Sequence, residues 1–389
     1  MPAITAQRGL DSEPRHPRLP LNQPHEEVKD MNNIEFRSLV VPTRLDTPDA
    51  ADFVAMVDLR NAVYREINGN EDETVTAAEL LPHWQPSKDQ AHVGWLVIAD
   101  DRVIGRVCVD VPLDEGSRSA YWQIELLREY WGRGIGTAAL PLVEQAARGH
   151  GRTLLQSWAQ HEELGDRSGP ERLASPTGYG TLPVDHIARF YLRHGYELGQ
   201  IERKSGLALG GSPSLLKRLL DEARPDGYSL VSWTLPTPAE YVEDYARMKS
   251  RMSTDVPAGE MEFDEEAWDA DRVARHDKNW LDGGHTMLIT AARHDATGEL
   301  VAFTELSVGE DKSAPTGQVD TLVLKEHRGR RLGQWIKCAN LLAWRDIAPE
   351  SAKAITYNAE ENRHMLDVNE AMGFAPIAYI GAWKRTIES

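Results

Sequence analysis

Two short segments of this chain have residue types and spacing suited to holding an anion. The first reads Leu126-Leu127-Arg128-Glu129-Tyr130-Trp131-Gly132-Arg133-Gly134-Ile135-Gly136-Thr137. The second reads Val323-Leu324-Lys325-Glu326-His327-Arg328-Gly329-Arg330-Arg331-Leu332-Gly333-Gln334. Each ends a strand-like run and opens a helix-like one. Glycine tolerates the left-handed backbone that a tight strand-to-helix turn demands. The free N–H groups of the first helical turn then face outward, and the helix dipole adds attraction for a phosphate. Arg330 and Arg331 offer guanidinium forks as well. The contacting residues this predicts are Leu126, Gly132, Gly134 and Gly136 in the first turn. In the second they are Val323, Arg328, Gly329, Arg330, Arg331, Leu332, Gly333 and Gln334. Neither turn is a Walker loop, because no Gly-Lys-Ser/Thr follows the glycines. Neither fits a dinucleotide fingerprint, since each falls after several strands rather than after the first.

The elements that must position these turns recur in one order. Ile34 to Val41 reads as a strand, and Ala50 to Ile67 as a helix with Phe53, Val57, Leu59 and Val63 at helical spacing. Trp95–Ala99, a tight turn at Asp100-Asp101 and Val103–Val109 read as a hairpin. A strand from Ala120 to Leu127 leads into the first turn, and a helix from Ala138 to Arg148 follows it. In the second half, Met287–Ala291, a turn at His294–Gly298, Leu300–Thr304 and a strand from Gln318 to Leu324 repeat that order. A helix from about Leu332 to Arg345 completes the copy. A repeated order of elements implies a repeated domain. Gly210-Gly211-Ser212-Pro213 is a linker signal, with a helix from Ser214 to Ala223 beyond it. The reading is therefore a disordered tail at 1–33, one domain at 34–210 and a second at 211–389.

The bulk properties narrow the function. A chain of 389 residues suits two cores, and 41% hydrophobic with 27% charged residues is a globular composition. The net charge of -18 argues against a nucleic-acid partner, whose phosphates need Lys and Arg. It suits either a cationic substrate drawn in by steering or plain solubility. No apolar run is long enough to span a bilayer, and no secretory leader is evident, so a cytoplasmic protein without a membrane partner is expected. Cys108 and Cys338 cannot build a disulfide framework and read as buried thiols. No His/Cys cluster has metal-ligand spacing, so no metal is expected.

At this point the chain resembles the GNAT superfamily of N-acetyltransferases, in a mycothiol-synthase-like two-domain arrangement. The family turn is Arg/Gln-x-x-Gly-x-Gly/Ala. Trp131-Gly132-Arg133-Gly134-Ile135-Gly136 keeps both later glycines but has Trp at the first position. Arg328-Gly329-Arg330-Arg331-Leu332-Gly333 keeps the Arg but has Arg331 for the middle glycine. The family's later helix, ending in Gly-Tyr or Gly-Phe, is matched by Ala188 to Tyr196 and again by Asn362 to Phe374. The resemblance covers roughly 34–209 and 228–389. It implies an α/β (α+β) fold of two tandem units. Each would be a mixed, mostly antiparallel sheet with helices on both faces and a splay between the fourth and fifth strands. It implies acetyl-CoA as co-substrate, its pyrophosphate on the glycine turn, and direct attack by a primary amine of a small molecule. A thiol-precursor amine or a protein amine is the alternative acceptor. A non-catalytic CoA-binding or scaffold module is the alternative class. A homodimer is left open.

The resemblance also distributes roles. Tyr191, four residues before Gly195, stands where the family has the acid that protonates the leaving thiolate, or is a packing residue. The second copy has Asn369 there, which cannot be an acid. Asn358 and Asn362 are the second copy's candidates for contact with the pantetheine, and Val184 stands opposite Asn362 in the first. Glu125 and Asp320 lie on the strands before the turns, out of phase with the cofactor side, and are not expected to be bases. Trp122 and Trp131 read as packing, His327 and His364 as exposed. From Gly136 to Gly195 is 59 positions against 40 from Gly333 to Gly373, the excess falling within His161 to Pro183 as a lid, a block or a tolerated insertion. The retained Arg328 and Asn362, and the absence of that insertion, favour the second copy as the cofactor holder.

Overall fold

A computed structural model describes residues 33–161 and 171–388. The tail expected at 1–33 lies outside the described residues except for Asn33. The first half contains β1 (Ile34–Ser38), α1 (Ala51–Asn68), α2 (Ala77–Trp84), β2 (Gln90–Ala99), β3 (Arg102–Pro112) and β4 (Ser119–Leu126). It continues with α3 (Ile135–Gly149), β5 (Leu154–His161), β6 (Arg172–Ala174), β7 (Thr181–Pro183), α4 (His186–Arg193) and β8 (Glu197–Ala208). The second half contains α5 (Ser214–Ala223), β9 (Tyr228–Thr234), α6 (Val242–Asp255), α7 (Ala270–Asp282), β10 (Thr286–His294) and β11 (Leu300–Val308). It ends with β12 (Thr316–Val323), α8 (Leu332–Ile347), β13 (Lys353–Ala359), α9 (Arg363–Met372) and β14 (Ala375–Thr386).

The local reasons are visible in the sequence. Asp100 and Asp101 turn the β2–β3 hairpin with φ of 49° and 61°, the doubly left-handed turn that suits strand twist and that Asp tolerates. Thr76 and Glu79 cap α2 reciprocally, side chain to backbone in both directions. Strands such as β11, Leu300–Val308, are buried along their whole length and read as a continuous apolar run with few polar interruptions.

The two halves share one sheet of twelve strands, in the order β1-β2-β3-β4-β5-β14-β8-β13-β12-β11-β10-β9. Each half's last strand has crossed over. β14, from the second half, pairs antiparallel with β5 of the first, Trp383 opposite Ser157. β8, from the first half, pairs antiparallel with β13 of the second, Glu202 opposite Ala359. β14 and β8 also pair with each other and form the centre of the sheet. The linker at Gly210-Gly211 lies between β8 and α5, yet the cores are not divided there. Trp383 is fully buried in the first half's core, and Leu207 of β8 is buried in the second's.

The sheet opens where β4 leaves β5. Their parallel pairing stops at Tyr121–Gln156. The matching pair β12–β13 is held only at Thr316–Ala354 and Gly317–Ile355. Of the stretch His161 to Pro183, residues 162–170 lie outside the described residues. The remainder forms the small β6–β7 hairpin, whose Leu182 is 1% exposed in the first half's core.

Candidate functional site

Both glycine turns have nearly the same backbone. Gly132 and Gly134 have φ of 74° and 81°, and Gly329 and Arg331 have 79° and 58°. Arg331 therefore adopts the left-handed conformation in place of glycine, at a cost of about 1–2 kcal/mol for a residue with a Cβ. The Trp at the first position is explained in the same way. Trp131 Nε1 donates to the Leu126 carbonyl at 2.9 Å, and Arg328 Nε donates to the Val323 carbonyl at 3.0 Å. Either side chain ties the turn to the end of its strand. Arg133 and Arg330 correspond too, each donating to a glutamate carbonyl four residues back.

The turns differ in what lies beside them. A cavity of about 780 Å³ opens at the β4–β5 splay of the first half. Leu126, Gly132, Gly134, Gly136 and Tyr191 all line it, together with Thr137 at the start of α3. None of the second copy's predicted residues does: Val323, Arg328, Gly329, Arg330, Arg331, Leu332, Gly333, Gln334, Asn358 and Asn362 lie elsewhere. No described residue of 171–183 lines the cavity either, so that part neither lids nor blocks it.

In the second copy several candidate side chains are bonded to the protein itself. Helix α5 runs antiparallel along α8. Its Leu219 carbonyl accepts from Gln334 Nε2 at 3.2 Å, and its Glu222 carbonyl accepts from Arg331 at 3.3 Å. The C-terminal end of a helix carries partial negative charge, which disfavours a phosphate beside it. Asn369 Nδ2 donates to Asn358 Oδ1 at 2.7 Å, which takes up that amide and that carbonyl, while the buried Asn369 Oδ1 has no partner. Asn362 caps α9 by accepting from the Met365 N–H at 3.4 Å. Its counterpart as a cap in the first half is Asp185, which accepts from Ala188 at 2.8 Å, and not Val184.

Tyr191 is set by its packing. Its ring stacks on Trp383 of β14, centroids 4.8 Å apart and 2° from parallel. Its hydroxyl and Ser157 Oγ on β5 are 2.7 Å apart. Burial raises the hydroxyl well above the ordinary tyrosine range, against the Ser157 hydrogen bond, which keeps it protonated at neutral pH. Trp122 packs against both Tyr191 and Tyr196, as expected of a core residue. His327 is bonded to the Tyr228 hydroxyl at 2.8 Å, and His364 is exposed.

The cavity passes through the splay to the α1 face of the sheet. There it is lined by Tyr64, Glu73, Glu125, Trp158, Glu202 and Tyr357. Glu125 points away from Tyr191, as alternation requires, and meets the cavity only because the strands have parted. It is bound to Arg106 Nε at 2.5 Å and held as an ion pair. Asp320 pairs with buried Lys249 at 2.6 Å and is no free base. Sequence reasoning did not anticipate Glu202, Glu73 or Tyr357. No local motif marks them, because β8 and β13 bring them from distant segments.

Comparisons with known proteins fit this geometry. Residues 53–166 match the Acetyltransferase (GNAT) family. No curated protein sequence matches the chain. Among solved structures, a tandem GNAT protein from the clavulanic acid biosynthesis pathway is 26% identical, with a TM-score of 0.68. That alignment covers 92% of this chain and 99% of that one. A GCN5-related N-acetyltransferase from Sphaerobacter thermophilus shares the fold at 14% identity and a TM-score of 0.60, over 92% of this chain and 97% of that one. With the GNAT match falling on the first turn and splay, and the tandem likeness running through both halves, the first half carries a GNAT domain and the chain as a whole is similar to a tandem GNAT protein.

Proposed function

We propose that the chain is an acyl-CoA-dependent N-acetyltransferase that uses acetyl-CoA, and that its working site is in the first half. The observation that carries this is the cavity itself, which joins the glycine turn, the open edge of β4 and Tyr191. Its volume of about 780 Å³ is in the range of sites that hold cofactor-sized ligands. The N–H groups at Gly134–Thr137 would hold the pyrophosphate, and β4 beyond Tyr121, which lacks a strand partner on the β5 side, would pair with the pantetheine arm. The acceptor amine would enter from the α1 face and attack the thioester carbonyl. As the C–S bond breaks, the Tyr191 hydroxyl gives its proton to sulfur. Ser157 holds that hydroxyl in place. The second half then serves by completing the first half's sheet.

The test is thermal melting of the full chain with acetyl-CoA, since a ligand that binds only the native state raises its stability. Gly134→Glu puts a carboxylate and a strained residue where phosphate would sit, and should abolish the shift. Gly333→Glu should leave it. The opposite pattern would move the site to the second half. No shift in the unaltered chain would remove the enzyme reading.

A further inference from the structure

We propose that Glu202, on one of the two exchanged strands, receives the acceptor's ammonium group. The acceptor class is then a monoamine with no carboxylate beside the amine. This rests on the acyl-transfer reading above and concerns the α1 side of the same cavity.

Three carboxylates line that side, and they are not equivalent. Glu73 is held by Lys204 Nζ at 2.6 Å and by Asn68 and the Tyr357 hydroxyl. Glu125 is held by Arg106. Both charges are already balanced by the protein. Glu202 accepts from Trp158 Nε1 at 2.7 Å through Oε1. Among the described residues its Oε2 has no hydrogen bond, and it is not sealed from the cavity. A buried carboxylate with one neutral partner is costly. An entering cation offsets that cost, and the low-dielectric wall makes the attraction strong.

The surroundings define what accompanies the cation. Tyr64, Trp158, Tyr357 and Ile380 supply aromatic and apolar walls. A second ammonium would find Glu73 and Glu125 already paired. A carboxylate next to the amine would face Glu202 and the field of Glu361, the other acid that acts on it. Burial and Glu361 raise the Glu202 carboxyl above the ordinary range, while the Trp158 N–H lowers it. Such a carboxyl is a better proton acceptor than a surface one.

The ammonium gives one proton to Glu202, which passes it to solvent. The freed lone pair forms the C–N bond. The C–S bond breaks as Tyr191 protonates the sulfur, and the nitrogen's surplus proton restores the Tyr191 hydroxyl.

The experiment uses the full chain with n-pentylamine, n-pentanol, norleucine and 1,5-diaminopentane, read by thermal shift with and without coenzyme A. Pentylamine should raise the melting temperature; pentanol and norleucine should not, and the diamine should gain nothing over pentylamine. Glu202→Gln should lose the pentylamine shift and keep the coenzyme A shift. With acetyl-CoA, thiol release driven by pentylamine should fall about 100-fold in kcat/KM at neutral pH in Glu202→Gln. That deficit should narrow as pH rises and the amine deprotonates unaided. Equal shifts from pentanol or norleucine, or an undiminished shift in Glu202→Gln, would overturn the proposal. So would the absence of any pentylamine shift. A missing coenzyme A shift would overturn the acyl-transfer reading instead.

Discussion

The two glycine turns match in backbone and differ in company. Gly134 and Arg331 occupy the same left-handed position, and Trp131 and Arg328 make the same bond to a strand carbonyl. Beside the first turn lies a cavity with Tyr191 in its wall. Beside the second lie the C-terminal carbonyls of α5 and Asn369 bonded through its Nδ2 to Asn358. The shape of an anion cradle thus recurs where different neighbours surround it. Signature residues report the turn; the neighbours decide whether a ligand can reach it.

The largest effect should come from breaking the strand exchange. Ending the chain after Gly373 removes β14 and leaves β5 of the first half without its partner. The first half should then lose cooperative melting, although the cut lies in the second. Trp383→Ala is the milder version and should cost about 3–5 kcal/mol in denaturant unfolding, as for other large buried aromatics. A near-neutral result would mean that the halves are independent.

The next largest effect separates the two helix positions. Tyr191→Phe should lower kcat by about 100-fold with acetyl-CoA binding little changed. Asn369→Ala should leave the rate unaltered, and a loss there would return a catalytic role to the second half.

The contact between halves should respond to acid. His83 on α2 packs edge-on against Trp280 of α7, ring centroids 5.6 Å apart. Burial pushes the His83 imidazole down to about 4, with His285, His92 and His276 adding repulsion. The unfolded chain takes up a proton near the ordinary histidine pKa of about 6.5, while the folded chain resists until about 4. This contribution is whole above that upper value and is lost as pH falls through the window. His83→Gln should flatten the decline in melting temperature between those limits; an unchanged slope would place the acid sensitivity elsewhere.

The smallest effect tests the turns themselves. Arg331→Gly relieves the left-handed strain and should stabilise the second half by up to about 1 kcal/mol in urea unfolding. Gly134→Arg should destabilise the first by a similar amount. Equal and negligible effects would show that the shared backbone is unstrained.

Much of this was legible from residues alone. The Asp100-Asp101 turn, the β2–β3 hairpin, α5 at Ser214–Ala223 and both glycine turns follow from local rules: side chains that accept positive φ, caps, and apolar spacing. Tyr191 could be singled out by its distance from Gly195. Glu202 and Tyr357 could not, since nothing near them in sequence marks a site. Arg172 to Pro183, part of the stretch read as a lid, a block or a tolerated insertion, forms a hairpin with a buried Leu182.

What the sequence determined by itself was the repeated order of elements and the backbone of each turn, because these depend on neighbours a few residues apart. What only the tertiary structure decided was which turn opens onto the cavity at the splay, which strand completes which core, and which carboxylate lacks a counter-charge. Those outcomes depend on contacts between segments as far apart as Ser157 and Trp383. The free energy of such contacts comes from burial and pairing across the shared sheet, which no local pattern encodes.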